Sequence, residues 1–370
     1  MHGIPDDVRD LLRRHNGILL TADAQRAGIP RSRLSRLVAS GQLERLVHGA
    51  YTSTEALAAL DDWQRFAMRA RAFGLVSAPN AYLTGWACTA IRGYPTLGRP
   101  PRLPTVVRPK DVKRWPFTGI GGRVLIADMP EEHRRRGRLP IVSDEWAVVD
   151  VARTARLPDS LVVADVAVRS GLDLAGVLPH LHRWEGIGRA RWVVEHAVPT
   201  VESPLETLGR FTFIEHDLPV PVTNAWVGRD RPEWRVDGLL PWHWWGYEAD
   251  GALKYDNRAD ASKIIRAQQG REFRLRRLGL DLLRYGWPDA YPSREPLENN
   301  IRAMFSDHPA QAEPVKWWKD VPGHGPVEPR QEDWPSPYPT GVELPAGWRL
   351  DLDGLRNDEV DDCDDPQAAA

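Results

Sequence analysis

The feature that most constrains the fold of this chain is the pattern of helices and strands between residues 199 and 292. Ser203-Pro204 begins a helix that runs to about Glu215. It is followed by strand patterns near 220–226, 234–239 and 243–248, a polar helix over about 259–278 and a last strand over 280–285. The order α-β-β-β-α-β predicts a mixed sheet with helices on both faces.

Carboxylates lie in the second and third strands of this pattern. Asp237 falls in a half-buried strand, and Glu248 and Asp250, two residues apart on the next strand, share one face. Because neighbouring strands are about 4.8 Å apart, the sequence predicts that the three carboxylates bind one divalent cation, Mg²⁺ or Mn²⁺. Such an ion polarises a phosphodiester and activates a water molecule. The alternative is that Asp237-Gly238 and Asp250-Gly251 are turns that close two strands.

Positively charged and capping residues surround these carboxylates in the sequence. Lys254 is predicted to orient the attacking water or to stabilise developing negative charge. Glu206 either reaches the metal from the first helix or completes a capping box with Ser203. The polar helix is predicted to hold phosphate, or else it is simply a solvated face; its candidate residues are Lys263, Arg266 and Arg271. The run Trp242-His243-Trp244-Trp245 is expected to pack in the core.

The first 58 residues show the pattern of a winged helix-turn-helix. Residues 5–15 predict a first helix, Thr21 the N-cap of a second that ends at Gly28, and Pro30 the start of a third that ends at Gly41. The third helix has a buried stripe of Leu34, Leu37 and Val38, spaced at i, i+3 and i+4. Residues 43–52 then fit a β-hairpin wing.

Polar residues off that stripe predict a DNA-reading surface. The third helix offers side chains to a major groove, and the hairpin offers side chains to phosphates or a minor groove. The alternative is the solvated face of a small packing domain. The predicted DNA-binding residues are Arg31, Ser32, Arg33, Ser35 and Arg36 on the helix, with Arg45 and His48 on the wing.

The charge of the chain is divided between two unlike parts. Residues 307–370 hold 15 Asp and Glu against 5 Lys and Arg, so that residues 1–306 carry +8 of the formal net charge of −2. A basic body suits a polyanionic partner, and an acidic tail suits masking or solubility. Ten of those 64 residues are Pro, and this composition predicts a largely disordered tail.

Cysteine usage and hydropathy indicate the compartment. The two cysteines, Cys88 and Cys363, are far apart, which makes a disulfide framework improbable and favours a reducing cytoplasm. No basic-then-apolar leader and no long apolar run are visible, so we expect a cytoplasmic protein with no membrane partner. A basic loop lies between the winged-helix pattern and residue 199, and it is expected to be a solvated charge run rather than a DNA contact. Its residues are Arg134, Arg135, Arg136 and Arg138.

At these residues the chain resembles known families. Residues 199–287 resemble a Vsr-like endonuclease domain of the PD-(D/E)xK superfamily, through Glu-Ser-Pro-Leu-Glu, Arg-Val-Asp-Gly, Glu-Ala-Asp-Gly-Ala-Leu-Lys-Tyr and the final strand with Tyr-Gly-Trp. Residues 5–52 resemble the winged helix of AbiEi-type antitoxins of type IV toxin–antitoxin systems. The segment from Ser143 to Arg153 is similar to the region C-terminal to the winged helix in such proteins.

The resemblance implies metal ligands at Asp237 and Glu248, with Asp250 as a third acidic member. Two departures matter. The superfamily's lysine would stand two residues after Glu248, where this chain has Asp250, and many Vsr-like relatives have His where this chain has Lys254.

We therefore predict a multidomain α/β chain. It comprises a winged helix-turn-helix at 1–58, an α+β middle domain at 59–198, a restriction-endonuclease-like mixed-sheet α/β domain at 199–292 and a Pro-rich acidic tail at 293–370. The predicted function is Mg²⁺-dependent endonuclease action on double-stranded DNA, in phage defence or a toxin–antitoxin context. The alternative is a non-enzymatic DNA-binding antitoxin or repressor with a degenerate nuclease domain and a cognate toxin as partner. Charge alone leaves RNA open as the substrate.

Overall fold

The computed structural model describes residues 3–111, 121–251 and 270–352. Its contacts divide the chain into two compact units. Unit 1 comprises Met1–Ala167, Leu172–Glu195 and Gly347–Ala370, and unit 2 comprises Val168–Gly171 and His196–Ala346. No helix within the described residues is long and apolar enough to cross a membrane.

The N-terminal part of unit 1 is built from three helices and a small antiparallel sheet. The elements are α1 (Asp6–Arg14), β1 (Leu19–Leu20), α2 (Thr21–Arg26), α3 (Arg31–Ala39), β2 (Leu43–Val47) and β3 (Ala50–Ser53). The strands pair in the order β1-β3-β2. Gly28 and Gly41 follow α2 and α3 with φ angles of +79° and +72°, a left-handed conformation that ends helices. This is the predicted order of helix, helix-turn-helix and wing.

The core of this part explains the orientation of α3. Leu34 and Leu37 are buried, and Val38 packs against the same cluster. That cluster also contains Val8 and Leu12 of α1. The predicted stripe is confirmed, and the residues on the other side of α3 are left toward solvent.

The elements between residues 54 and 196 comprise helices and a five-stranded mixed sheet. The strand order of this sheet is β6-β5-β4-β8-β7. Its strands are β4 (Tyr82–Leu83), β5 (Thr105–Pro109), β6 (Arg123–Ala127), β7 (Arg134–Arg135) and β8 (Ile141–Val142). The helices are α4 (Thr54–Ala58), α5 (Asp62–Val76), α6 (Gly85–Ile91), α7 (Asp144–Thr154), α8 (Leu157–Arg169) and α9 (Ile187–His196).

A buried ion pair lies within α7, and its carboxylate also bonds Thr84, the residue after β4. The Asp150 carboxylate accepts hydrogen bonds from Arg153 Nε at 2.6 Å and from Thr84 Oγ1 at 2.8 Å. The Arg153 guanidinium also lies 4.6 Å from the ring of Trp184. Each charge is therefore compensated, as burial requires.

The basic residues after position 133 are largely held by acidic neighbours. Arg134 forms two hydrogen bonds with the Asp111 carboxylate, at 2.9 and 3.1 Å. Arg136 contacts Glu131, and Arg138 lies 3.6 Å from Asp23. Arg135, Arg136 and Arg138 are exposed, as predicted for a solvated charge run, and three of the four arginines also form ion pairs.

Unit 2 contains a six-stranded sheet of order β12-β11-β10-β9-β13-β14. Strands β9 (Val222–Val227), β10 (Trp234–Leu240) and β11 (Trp245–Ala249) are antiparallel, and β12 (Asp281–Tyr285) is parallel to β11. The helices are α10 (Pro204–Glu215), α11 (residues 270–277), α12 (Trp287–Ala290) and α13 (Glu295–Asp307). Over the described residues, the order from α10 to β12 is the predicted α-β-β-β-α-β.

The tryptophan-rich segment before β11 packs as predicted. Trp245 is fully buried, and the His243 ring nitrogens lie 2.9 and 3.1 Å from the carbonyl oxygens of His308 and Pro337. Those hydrogen bonds account for the buried imidazole without a metal.

The described part of the tail is ordered into the same sheet, and the prediction of disorder is wrong there. β13 (Trp317–Val321) pairs antiparallel with β9, and β14 (Gly325–Val327) pairs with β13. Trp317 is 1% exposed. Proline content does not predict this strand, which forms because the apolar pair Trp317-Trp318 covers the edge of β9.

Candidate nucleic-acid interface and carboxylate cluster

A groove lies between α3 and the hairpin. Its volume is about 550 Å³, and its lining includes four of the predicted DNA-binding residues. Arg31 and Ser35 come from α3, while Arg45 and His48 come from the hairpin. The lining contains no Asp or Glu among the described residues. We call this the α3–hairpin groove.

The side chains at this surface are exposed and carry positive charge. Arg31, Ser32, Ser35, Arg36, Arg45 and His48 are all exposed. Within the described parts of the chain, Arg31 and Arg36 form no ion pair. Arg45 stands 5.8 Å from the centre of the Tyr51 ring, so its stem is supported by an aromatic face.

Arg33 departs from the predicted set. Its guanidinium forms two hydrogen bonds with the Asp7 carboxylate of α1, at 2.6 and 2.9 Å. The same contact holds the pKa of Asp7 below its ordinary value of 3.8. Arg33 therefore joins α3 to α1, and its charge is already matched.

In unit 2, Asp237 lies inside a strand rather than at a turn. β10 continues through Gly238 to Leu240, and Gly238 pairs with Tyr247 of β11. A Cβ atom at Gly238 would lie 2.1 Å from the Tyr247 ring, so the close approach of that ring requires glycine. Asp237 Oδ2 accepts a hydrogen bond from the Ala249 amide at 2.8 Å. The interpretation of Asp237-Gly238 as a turn is therefore wrong.

Glu248 and Asp250 are neutralised by arginines. The Glu248 carboxylate contacts Arg271 at 2.5 Å through Oε1 and Arg284 at 2.9 Å through Oε2. Arg284 also donates to Asp250 Oδ2 at 2.9 Å. Arg271 was predicted to hold phosphate, but its guanidinium binds Glu248 and the carbonyl oxygen of Arg235.

Sequence reasoning missed Arg284. The signal was a basic residue that follows two leucines in the last strand, Asp281-Leu282-Leu283-Arg284-Tyr285. Because β12 runs parallel to β11 with Arg284 opposite Glu248, the two charges meet across neighbouring strands. The contact between Arg284 and Glu248 can be deduced only from the register of β11 and β12.

Glu206 acts as a cap and also joins α10 to β9. Its Oε1 accepts from Ser203 Oγ at 2.8 Å, and the Glu206 amide donates to Ser203 Oγ at 3.2 Å. Oε2 accepts from the Glu202 amide at 3.0 Å and from Asn224 Nδ2 at 2.9 Å. Ser203 therefore caps α10 as predicted, while the Glu206 carboxylate accepts from the Glu202 amide and the Ser203 hydroxyl rather than from the Ser203 amide of a full capping box.

These acidic residues share an electrostatic environment, and we call Glu206, Asp237, Glu248 and Asp250 the carboxylate cluster. Burial raises the pKa of Asp237, Glu248 and Glu206. The Asp237 charge adds to the rise in the pKa of Glu206, and the Asp250 charge adds to the rise in the pKa of Asp237. Each carboxylate therefore disfavours ionisation of a neighbour.

A divalent cation does not fit this arrangement as it stands. Both Glu248 oxygens contact guanidinium groups, and Asp237 Oδ2 accepts a backbone amide. No group of three or more His, Cys, Asp or Glu residues with metal-binding geometry occurs in residues 3–111, 121–251 and 270–352. The predicted residues Lys254, Lys263 and Arg266 lie outside the described residues.

Comparison with known families concerns the segment that forms the α3–hairpin groove. Residues 6–54 match the model of a family described as "Transcriptional regulator, AbiEi antitoxin". The N-terminal segment is similar to AbiEi-type antitoxins. The matched AbiEi-like segment contains α1 to β3 and therefore every predicted DNA-binding residue of unit 1.

Individual relatives cover less of the chain. Two Mycobacterium tuberculosis proteins, "Uncharacterized protein MT2308" and "Uncharacterized protein Rv2248", are each 32% identical to it over 113 residues. The match spans 29% of this chain and 41% of each relative. The crystal structure of RV2827C protein from Mycobacterium tuberculosis covers 54% of this chain and 80% of its own, with 14% identity and a TM-score of 0.35, too low to establish a shared fold.

Proposed function

We propose that this protein is a DNA-binding regulator that reads duplex DNA with α3 and the hairpin of its AbiEi-like segment. The observation that carries the proposal is the α3–hairpin groove. It joins exposed Arg31 and Ser35 with exposed Arg45 and His48, and its described lining holds no acidic residue.

The packing of α3 determines which of its residues can contact DNA. Leu34 and Leu37 fix the helix on the core, which leaves Arg31, Ser35 and Arg36 facing solvent. An exposed α-helix fits the major groove, and arginine recognises guanine edges there. Arg45 and His48 lie on the hairpin beside the helix and contact phosphates, a sequence-independent attraction that salt weakens.

The test is equilibrium binding of the full chain to fluorescent duplex DNA at several salt concentrations. We expect Arg31→Gln/Arg36→Gln to weaken binding and to reduce the slope of log K against log salt by about 0.9 for each phosphate that the variant no longer neutralises. The matched control is Arg183→Gln/Arg191→Gln, which removes the same charge from exposed positions outside the groove. A wild-type protein that binds no duplex, or equal losses in both variants, would contradict the proposal.

The family description brings a second partner into the proposal. An antitoxin-type regulator acts in the cytoplasm, represses an operator and neutralises a cognate toxin. Co-expression of the chain with a toxin of an AbiE-type system, with growth as the readout, tests this. Toxicity that the wild-type chain does not relieve would remove the antitoxin role while leaving DNA binding in place.

A second candidate function is metal-dependent cleavage of DNA by unit 2. It is favoured by the α-β-β-β-α-β order, with Asp237 on β10, Glu248 on the neighbouring β11 and Asp250 directly after β11. Binding of Mg²⁺ or Mn²⁺ there requires Arg271 and Arg284 to leave Glu248. The sequence also assigns Lys254, Lys263 and Arg266 to this function, but they lie outside the described residues, and both Glu206 oxygens already accept hydrogen bonds from its neighbours.

Plasmid nicking tests that candidate. Wild type with Mg²⁺ or Mn²⁺ should nick supercoiled plasmid, and Asp237→Asn should not, while Asp230→Asn at an exposed position should behave as wild type. If no duplex, single-stranded or mismatched substrate is cut although duplex binding is intact, the cleavage function is excluded.

A further inference from the structure

A second basic concavity lies next to the α3–hairpin groove in unit 1. Its volume is about 590 Å³, and it is lined by residues of β2, α4, α5 and the segment before β5. The lining includes five arginines, all of them exposed: Arg45, Arg65, Arg69, Arg99 and Arg102. We call it the arginine cleft.

The charge balance of the cleft favours a polyanion. Glu44 and Asp62 are the acidic residues of the described lining, so the arginine cleft keeps a surplus of positive charge. Five guanidinium groups around one open concavity exceed what a single small anion would neutralise. A chain of phosphates supplies negative charge at regular intervals over the required length.

Two of the five arginines, Arg65 and Arg69, are held in place by hydrogen bonds to the backbone. Arg65 Nε donates to the carbonyl of Leu57 at 3.1 Å, and Arg69 Nη1 donates to the carbonyl of Arg102 at 3.3 Å. Trp63 Nε1 donates to the carbonyl of Gly98 at 3.0 Å. Segment 98–102 is therefore fixed against α5, and little conformational entropy remains to be lost when phosphate binds.

Arg45 makes the cleft continuous with the first groove. It is a lining residue of both concavities, and both lie within unit 1. A duplex seated on α3 and the hairpin would therefore reach the arginine cleft next to Arg45.

We propose that the arginine cleft binds the phosphate backbone of the same DNA duplex, outside the segment read by α3. This inference rests on the proposed DNA-binding function and extends its footprint into the region that follows the AbiEi-like segment. α5 and segment 98–102 hold the flanking DNA through charge and carry no base readout. Affinity then depends on duplex length beyond the segment covered by the winged helix.

The experiment compares two duplex lengths, about 12 and about 40 base pairs, the longer spanning roughly four helical turns. We expect wild type to prefer the longer duplex. Arg69→Gln/Arg99→Gln should bind it about tenfold more weakly, with a salt slope smaller by about 2, and should bind the short duplex as wild type does. Arg45 is left unchanged because it lines both surfaces.

Two controls separate the possible failures. Arg183→Gln/Arg191→Gln removes equal charge elsewhere in unit 1 and should leave length dependence intact. If the double variant unfolds at a lower temperature, Arg99→Glu replaces it in the binding experiment. The Arg99 side chain forms no hydrogen bond with the described residues, so this substitution should not disturb the fold.

The outcomes distinguish this inference from the function on which it rests. If Arg31→Gln/Arg36→Gln weakens binding to both duplexes but Arg69→Gln/Arg99→Gln and Arg99→Glu behave as wild type on the longer one, the arginine cleft serves another ligand and the inference is overturned. If wild type binds neither duplex, the DNA-binding function itself fails.

Discussion

The α3–hairpin groove and the carboxylate cluster carry charge in opposite ways. On α3, Arg31, which lines the groove, and Arg36, which lies outside its lining, are exposed and form no ion pair with described residues. In the cluster, Glu248 is buried and both of its oxygens contact arginines. Exposed, unmatched charge is available to a charged partner, whereas buried, matched charge mainly holds strands and helices together.

The same contrast separates two arginines of one helix. Arg31 faces the groove, but Arg33, two residues later, is matched by Asp7 of α1. A surface arginine is thus a candidate DNA contact only if its neighbours leave its charge free. Substitutions in both regions test that distinction, beginning with the largest expected effect.

The largest effect should come from removing Glu248. Glu248→Ala leaves Arg271 and Arg284 without their shared carboxylate, and removal of one partner from a buried ion pair costs about 3 to 5 kcal/mol. Urea unfolding measures the change. Glu233→Ala, at an exposed position next to β10, should change the free energy of unfolding by less than about 0.5 kcal/mol. Equal values for the two variants would show that the Glu248 pairs do not stabilise unit 2.

An intermediate effect should separate Arg31 from Arg33. We expect Arg31→Gln to weaken duplex binding about tenfold, the equivalent of about 1.4 kcal/mol. Arg33→Gln should bind DNA nearly as wild type does and lose at most about 1 kcal/mol of stability with its partly exposed ion pair. A greater loss of DNA affinity in Arg33→Gln than in Arg31→Gln would reverse the assignment.

The smallest effect is a pH dependence of stability at Asp237. Burial raises the pKa of this carboxyl above its ordinary value of 3.8, so the folded state binds its proton more tightly than the unfolded chain does. The contribution of Asp237 to the free energy of unfolding therefore increases as pH falls from neutrality through the folded pKa. It decreases as pH rises.

Asp237→Asn should remove this dependence and keep the acceptor for the Ala249 amide. Relative to wild type, the variant should be more stable at pH 7.5, and its advantage should shrink toward pH 4. Asp230→Asn, at an exposed position, is the control for thermal unfolding across this range. An advantage that grows as pH falls would contradict the raised pKa.

Features set by local sequence were predictable, and features set by register were not. The stripe of Leu34, Leu37 and Val38 fixes which face of α3 is buried, because helical periodicity acts within one element. The N-cap that Ser203 forms with the Glu206 amide is equally local. In contrast, the pairing of Arg284 with Glu248 depends on the parallel register of β11 and β12.

Long-range contacts explain the remaining differences. β13 joins the sheet beside β9, about 90 residues earlier in the chain, and its Pro-rich surroundings gave no sign of a strand. The Arg33–Asp7 contact likewise joins two helices. The arginine cleft combines residues of β2, α5 and segment 98–102, which no single motif unites.

Amide hydrogen exchange of the full chain, with and without duplex DNA in metal-free buffer, tests the central claim most directly. DNA binding by the α3–hairpin groove predicts slower exchange in peptides that cover α3 and the β2–β3 hairpin. Peptides that cover β10 and β11 should exchange at the same rate in both states. Slower exchange at β10 and β11 with no change at α3 and the hairpin would contradict the account.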